Sequence, residues 1–374
     1  MNSNTASKAK SERNVGLDLL RVVSMLLVVL LHVLGQGGVL GAIDRTAAPD
    51  SYNIAWLMET AAYCAVNCYA LISGYVGVRS KFKYSSIIAL WLQVVFYTVG
   101  FTVLYSFIKP EAVSSGAFFT AFFPVMKRAY WYFSAYFCIF FFIPVFNHVV
   151  NTMEKKHLRV TVISIIALFS VIYTISRSTV LGSAVADLFV TERGYSPLWL
   201  ALLYIVGAYI SKYRSDFKIH PSICFLIYTV SVIISWVEKL TSKTGILVSY
   251  TSPTILIAAL ALLLGFSALK CQKISRIVTF LSPAAFGVFL IHVNPLVWTN
   301  LMKGLFASLA DYPAYLMSIL VIGAVFTVYA ICTAIDLLRH YFFKLLRIKE
   351  ALSVIESRLI GNFWQGSGSS NNTN

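Results

Sequence analysis

Apolar residues run in long uninterrupted blocks along this chain, and the polar positions between them form short punctuation rather than a two- or three-residue alternation. About ten blocks are long enough to be membrane spans: Leu17 to Leu34, Ile54 to Gly77, Ser85 to Ile108, Tyr130 to Val150, Leu158 to Ile175, Pro197 to Ile210, Pro221 to Glu238, Tyr250 to Leu269, Phe280 to Leu301 and Ala314 to Leu338. The sixth is the shortest. A hydrocarbon environment tolerates only structures that satisfy their own backbone, so runs of this length predict helices. The expected fold class is therefore all-α, a polytopic transmembrane helix bundle of about ten spans.

After the last block, Leu345, Ile348, Leu352, Ile355 and Leu359 recur at three and four with charges between them. That periodicity predicts an amphipathic helix on the membrane surface. The expected organisation is a polar, disordered N-terminus over residues 1–13, one membrane domain over 14–340, the amphipathic helix over 341–361 and a Gly/Ser/Asn-rich tail over 362–374.

Composition agrees. Hydrophobic residues make up 58% of the 374 and charged residues 12%, with a mean hydropathy of +0.77, whereas soluble domains carry about 25% charge. The net charge is +15. With ten spans, about twenty of the 30 basic residues fall at the N-terminus, in the even-numbered loops and at the C-terminus. The positive-inside rule then places both termini in the cytoplasm of a multi-pass protein of the cell membrane. The charge is a topology signal and an attraction to anionic lipids, and no soluble domain offers a groove for nucleic acid. The first block has a basic flank, but it is longer than a signal-peptide core and contains no small-residue cleavage site, so it stays as a helix.

The polar residues inside the blocks carry the chemistry. Arg21 and His32 lie eleven residues apart in the first block, about 20° apart around a helix and roughly 16 Å apart along it. One helix face thus presents a cation at one level and an imidazole at another. Ionisable groups within a span face a cavity or a partner. Asp18, three residues before Arg21, can pair with it.

In the expected topology His32 and His292 share the outer half of the membrane. Glu59 lies in the first outer turn of the second span, Asn67 near its middle and Ser73 toward the cytoplasm. Trp131 and Tyr132 open the fourth span from outside. An outer cluster of His32, His292, Glu59 and Trp131 and an inner cluster of Arg21, Arg79, Lys81, Lys83 and Arg276 suggest a polar passage with two ends. Bland alternatives exist for several: Glu59 as a solvated interfacial carboxylate, and Trp131 and Tyr132 as members of an aromatic belt. The six cysteines show no disulfide framework, and Cys64 and Cys68, one helical turn apart, lack neighbours at metal-ligand spacing. No metal is expected.

Four stretches, in order, resemble the membrane acyltransferase-3 family, integral membrane O-acyltransferases acting on glycans. They are Arg13 to Arg21 (RNVGLDLLR) followed by His32, Asn67 to Tyr75 (NCYALISGY) followed by Arg79, Tyr130 to Tyr136 (YWYFSAY) leading to Pro144, and Phe286 to His292 (FGVFLIH) followed by Pro295. The resemblance implies transfer of an acyl group, most often acetyl, from cytoplasmic acyl-CoA to a hydroxyl of a cell-surface glycan or lipid-linked sugar. The family's characteristic Arg and His map onto Arg21 and His32. Many members add an esterase-like domain, and the expectation here is that the membrane part alone performs the transfer.

The residues fit that chemistry. A guanidinium fork suits the phosphates of coenzyme A, so Arg21, with Arg79, Arg276 and Ser73, is the expected donor-binding group. His32, with His292 and Glu59, is the expected catalytic group. It can act as general base on the acceptor hydroxyl or be transiently acylated itself. Trp131, Tyr132 and Asn67 are the expected acceptor contacts. Two other classes fit a buried polar passage, a transporter or flippase of a glycan or lipid precursor and a non-catalytic membrane sensor. The first commonly shows inverted repeats, which this chain does not display. Acyl-CoA consumption separates both from an enzyme.

Overall fold

The computed structural model describes residues 13–126, 128–178, 189, 191–242 and 244–365, with 359–365 described by backbone alone. The chain is all-helical, with no strand among these residues. Among the described residues six helices are long and apolar enough to cross a membrane: those that begin at Val15 (α1, Val15–Leu34), Tyr84–Ile108 (α4), Lys155–Ser178 (α7), Pro221–Thr241 (α9), Gln272–His292 (α11) and Ala314–Leu345 (α12). The remaining apolar runs are shorter or broken. The second run divides into α2 (Pro49–Ala62) and α3 (Ala65–Gly77), and the fourth into α5 (Trp131–Phe140) and α6 (Ile143–Thr152), bent by 59°. The sixth and eighth are helices of 16 residues, α8 (Pro197–Lys212) and α10 (Pro253–Ala268).

The breaks have local causes. Pro144, at the second position of α6, has no N–H to continue α5 and its ring opposes the carbonyl of Phe140. The ninth run, expected to continue to Leu301, ends its helix at His292. Asn294 there accepts from the Leu296 amide at 3.1 Å and Pro295 follows, which starts a new turn in another direction. Helices α8, α9 and α10 each begin with proline at the first position behind a capping side chain, Ser196, His220 and Ser252.

Helix α1 is the hub, packed against α2, α3, α10, α11 and α12. Helices α3 and α8 pack backbone to backbone. A Cβ on Gly74 would lie 1.9 Å from the Tyr204 carbonyl oxygen, and one on Gly207 would lie 2.1 Å from that of Leu71. Each glycine therefore sits against the other helix's backbone, the small-residue packing that replaces hydrophobic drive between helices in lipid. At the periphery, Leu226, Val230, Ile233 and Val237 form an exposed apolar stripe along α9, as Ile319 and Phe326 do on α12. Such faces are covered by acyl chains, and the chain is a membrane protein.

The expected boundary near residue 340 is displaced. Helix α12 runs on to Leu345, and the chain turns at Leu346 and Arg347, where Arg347 takes φ +51°. The amphipathic helix is α13 (Ile348–Gln365), so residues 362–365, expected in a disordered tail, continue it. Residues 1–12 and 366–374 lie outside the described residues. Of the expected apolar face, Leu352 is buried while Ile355 and Leu345 stay exposed.

Helix α13 docks on the start of α4, where Glu356 accepts from the Tyr84 amide at 3.1 Å and from the Ser85 amide. A carboxylate at a helix N-terminus satisfies free N–H groups and meets the positive end of the helix dipole. Partial desolvation pushes the Glu356 carboxyl up, but the Ser85 and Tyr84 bonds and the Lys83 charge outweigh it and hold it below the ordinary range. A lowered carboxylate stabilises docking above its unfolded value and loses that contribution as pH falls through the folded one. Proteolytic cleavage within α13 is accordingly expected to accelerate on acidification below about pH 4, and Glu356→Gln is expected to remove the pH dependence.

Candidate active site

One face of α1, at the spacing Arg21, Met25, Val28, His32, forms a wall of a cavity of about 290 Å³. Helix α3 contributes Tyr69 and Ser73, α5 contributes Trp131, Tyr132 and Tyr136, and α11 contributes Phe286 and Phe289. The predicted shared face of Arg21 and His32 is thus the lining of one internal space, with a guanidinium toward one end and an imidazole toward the other.

At the imidazole end, His32 Nδ1 lies 2.8 Å from His292 Nε2, and His292 Nδ1 lies 2.6 Å from the Val288 carbonyl oxygen. A carbonyl only accepts, so His292 Nδ1 carries a proton. With both rings neutral, His292 Nε2 is then a lone pair, His32 Nδ1 must donate to it, and His32 Nε2 is left as a lone pair. His292 is 1% exposed, while His32 is half-buried and lines the cavity. The backbone of α11 therefore sets which nitrogen of His32 is basic, as a carboxylate orients the base in hydrolytic triads.

Two further supports fix this end. Trp298 packs edge-on against His32, with centroids 4.8 Å apart, and Gln36 Nε2 donates to the Trp298 carbonyl at 3.1 Å. Tyr130 OH donates to the Leu290 carbonyl and accepts from Asn294 Nδ2, both at 2.9 Å, clamping the end of α11. Behind that helix, Gly287 admits the carboxylate of Asp336, whose Oδ1 would lie 2.0 Å from a Cβ at that position. Asp336 in turn takes Tyr97 OH at 2.7 Å and Arg339 Nη2 at 2.8 Å.

At the other end, Arg21 pairs with Asp18 at 2.5 Å, the expected contact. Asp18 is 2% exposed and also binds Arg13 and the Ser282 hydroxyl. Tyr69 OH donates to the Arg21 carbonyl at 2.6 Å, tying α3 to α1 at this level, and Ser73 Oγ donates to Tyr69 O at 2.9 Å.

Of the residues expected from sequence, Arg21, His32, Ser73, Trp131 and Tyr132 line the cavity and His292 touches His32. The other four do not line it. Asn67 is a strut: its Nδ2 donates to Tyr250 O at 2.7 Å and its Oδ1 accepts from Trp199 Nε1 at 3.1 Å. Arg79 donates to the Ser211 carbonyl at the end of α8, satisfying a free helix C-terminal group, and Arg276 is exposed. Glu59 has its Oε2 buried and without a hydrogen-bond partner among the described residues. The Cys64 and Cys68 thiols face helix carbonyls. Trp298 and Tyr130 were not expected. The Asn294-Pro295 pair, a cap signature just after His292, was the available sign that the chain turns back there.

No curated protein and no solved structure matches the chain. The family model described as Acyltransferase domain matches residues 14–336, most of its length and all of the cavity-lining residues. With the all-helical membrane fold and the Arg21–His32 cavity, that match places the chain in the acyltransferase-3 family, as a membrane acyltransferase.

Proposed function

We propose that the protein is an O-acyltransferase that moves an acetyl group from cytoplasmic acetyl-CoA to a hydroxyl of a cell-surface glycan or lipid-linked sugar. The observation that carries this reading is the single cavity with a cation at one end and, at the other, an imidazole whose Nε2 lone pair is fixed by its neighbours. In the proposed topology the chain crosses the cell membrane ten times with both termini in the cytoplasm. Every apolar run in the sequence corresponds to a helix or a broken helix, and the basic residues alternate accordingly. The arginine end then faces the cytoplasm and the histidine end faces outward.

The cavity, about 290 Å³ and lined mostly by aromatic and aliphatic side chains, suits the acyl end of the donor rather than its charged nucleotide. The acyl arm would enter past Arg21, while the phosphates would rest against Arg21 and the exposed Arg79, Lys81, Lys83 and Arg276 at the inner surface. His32 Nε2 takes the proton of the acceptor hydroxyl as its oxygen attacks the thioester carbonyl. The carbon–sulfur bond breaks, and His32 returns the proton to the departing thiolate, closing the cycle. The imidazolium formed in between keeps its Nδ1–H bond to His292.

The test is release of free coenzyme A from radiolabelled acetyl-CoA by the protein in inverted vesicles, with and without glycan fractions. Label on a glycan supports the proposal. Consumption of no donor under any fraction overturns it in favour of transport or sensing. In the same assay Arg21→Gln is expected to raise the KM for acetyl-CoA about ten- to a hundredfold, the worth of a charged hydrogen bond. Arg13 remains to pair with Asp18, so the fold is expected to tolerate the change.

A further inference from the structure

Beside the cavity, four aromatic rings meet around Tyr250. Tyr250 lies 5.0 Å from Tyr63 and 5.0 Å from Tyr195, and stacks on Trp131 at 6.2 Å with 22° between planes, while Trp131 lies 4.7 Å from Tyr195. Trp131 and Tyr250 also line the catalytic cavity, so the cluster borders it directly. The group is built at a cost. Glu192 and Arg193 take φ of +47° and +58°, a conformation side chains disfavour, just before Tyr195. Gly194 follows at φ +100°, where a Cβ would lie 2.4 Å from that of Tyr250. The Arg193 amide donates to Tyr173 OH at 3.2 Å and joins this turn to the end of α7. Consecutive left-handed residues persist where surrounding structure holds them for a purpose.

The same neighbourhood concentrates unmet hydrogen-bonding capacity. Among the described residues nine buried side-chain atoms have no partner, and four of them, Glu59 Oε2, Thr174 Oγ1, Arg177 Nη1 and Thr191 Oγ1, belong to the segments that converge here. Tyr63 lies within electrostatic reach of Glu59 and of Arg193, and Arg177 within reach of Tyr63. Buried polar groups in folded proteins are nearly always paired, with protein, water or a ligand, so this group has hydrogen-bonding capacity to offer one. The free Glu59 oxygen can accept from hydroxyls, the Arg177 guanidinium, which lies over the Tyr173 ring at 5.8 Å, has Nη1 left to donate to oxygens, and aromatic faces cover the C–H surface of a pyranose.

We propose that this aromatic cluster, with Glu59 and Arg177, is a sugar-binding subsite that seats the residue of the acceptor glycan next to the one acylated. It rests on the acyl-transfer reading above for its purpose but not for its binding chemistry. A sugar held here would lie across Trp131 and Tyr250 from His32, and a hydroxyl of its neighbour would reach the cavity.

The experiment uses the full chain in nanodiscs without acyl donor, titrated with cellotetraose, chitotetraose and tetragalacturonate and followed by saturation-transfer NMR. At least one sugar is expected to bind the wild type, at least tenfold more weakly to Glu59→Gln and to Arg177→Lys, with thermal midpoints near wild type as the folding check. In turnover with a glycan fraction, Glu59→Gln is expected to raise the acceptor KM about tenfold and leave the acetyl-CoA KM unchanged. Binding of none of the three sugars, or wild-type binding by both variants, overturns the subsite. Sugar binding without any release of coenzyme A would instead leave the subsite standing and overturn the acyl-transfer reading.

Discussion

Acyl transfer is expected to fall by at least about a thousandfold in His32→Ala, within the span that a positioned acid–base group supplies. The protein should meanwhile extract, purify and melt as the wild type, because a half-buried ring at a cavity wall contributes little packing. His292 gives the sharper test, since its role is to accept the His32 Nδ1 proton and so leave Nε2 basic. The side-chain oxygen of glutamine reaches the position of an imidazole Nε2 and can accept the same proton; leucine cannot. His292→Gln is therefore expected to keep about a tenth of wild-type kcat and His292→Leu to lose at least about a hundredfold, with both measured as label transferred per unit of folded protein. Equal losses in the two variants would mean that His292 merely fills space. Full activity in His32→Ala would remove the proposed chemistry altogether.

The second large effect is mechanical. Gly74→Val and Gly207→Val each push a side chain into a carbonyl of the facing helix, where the distances leave no room. Overpacking of this kind costs about 1–3 kcal/mol or more for each site. The expected result is a clear drop in thermal midpoint and in yield for either variant. Gly41→Val, at a glycine with open space around it, serves as the control that should change neither. Activity should fall further than stability alone predicts, because α3 carries Tyr69 and Ser73 to the cavity and a displaced α3 widens the arginine end.

Much of this site is legible in the chain because helices convert spacing into direction. The Arg21–His32 face follows from eleven residues of regular rise, and the common level of His32 and His292 follows from counting along two apolar blocks. Rotation about each helix axis is not encoded in that count, so Glu59 and Asn67 turn toward Tyr63 and Trp199 rather than into the cavity. Arg79 sits in a recognisable stretch, yet its guanidinium is drawn to the free carbonyl that ends α8, a partner fixed only by tertiary packing. Trp298 follows a cap and a proline that send the chain back toward α1, and its contact spans more than 260 residues. The break before α13 has no glycine or proline to mark it, which is why the surface helix begins later than its apolar rhythm suggests.

The acceptor that sets the protonation pattern of the two histidines is a main-chain oxygen, that of Val288. No substitution can delete it, and position 288 can exchange one apolar side chain for another without rewriting the base. Heritable tuning of the base's partner must therefore act through the placement of the helix. The Gly287–Asp336 contact is the adjustable screw: a side chain added at Gly287, or a shorter or longer one at Asp336, would slide the oxygen relative to the imidazole pair. Variation in catalytic rate among descendants of this sequence is thus expected to map to α12, one helix removed from any reacting atom.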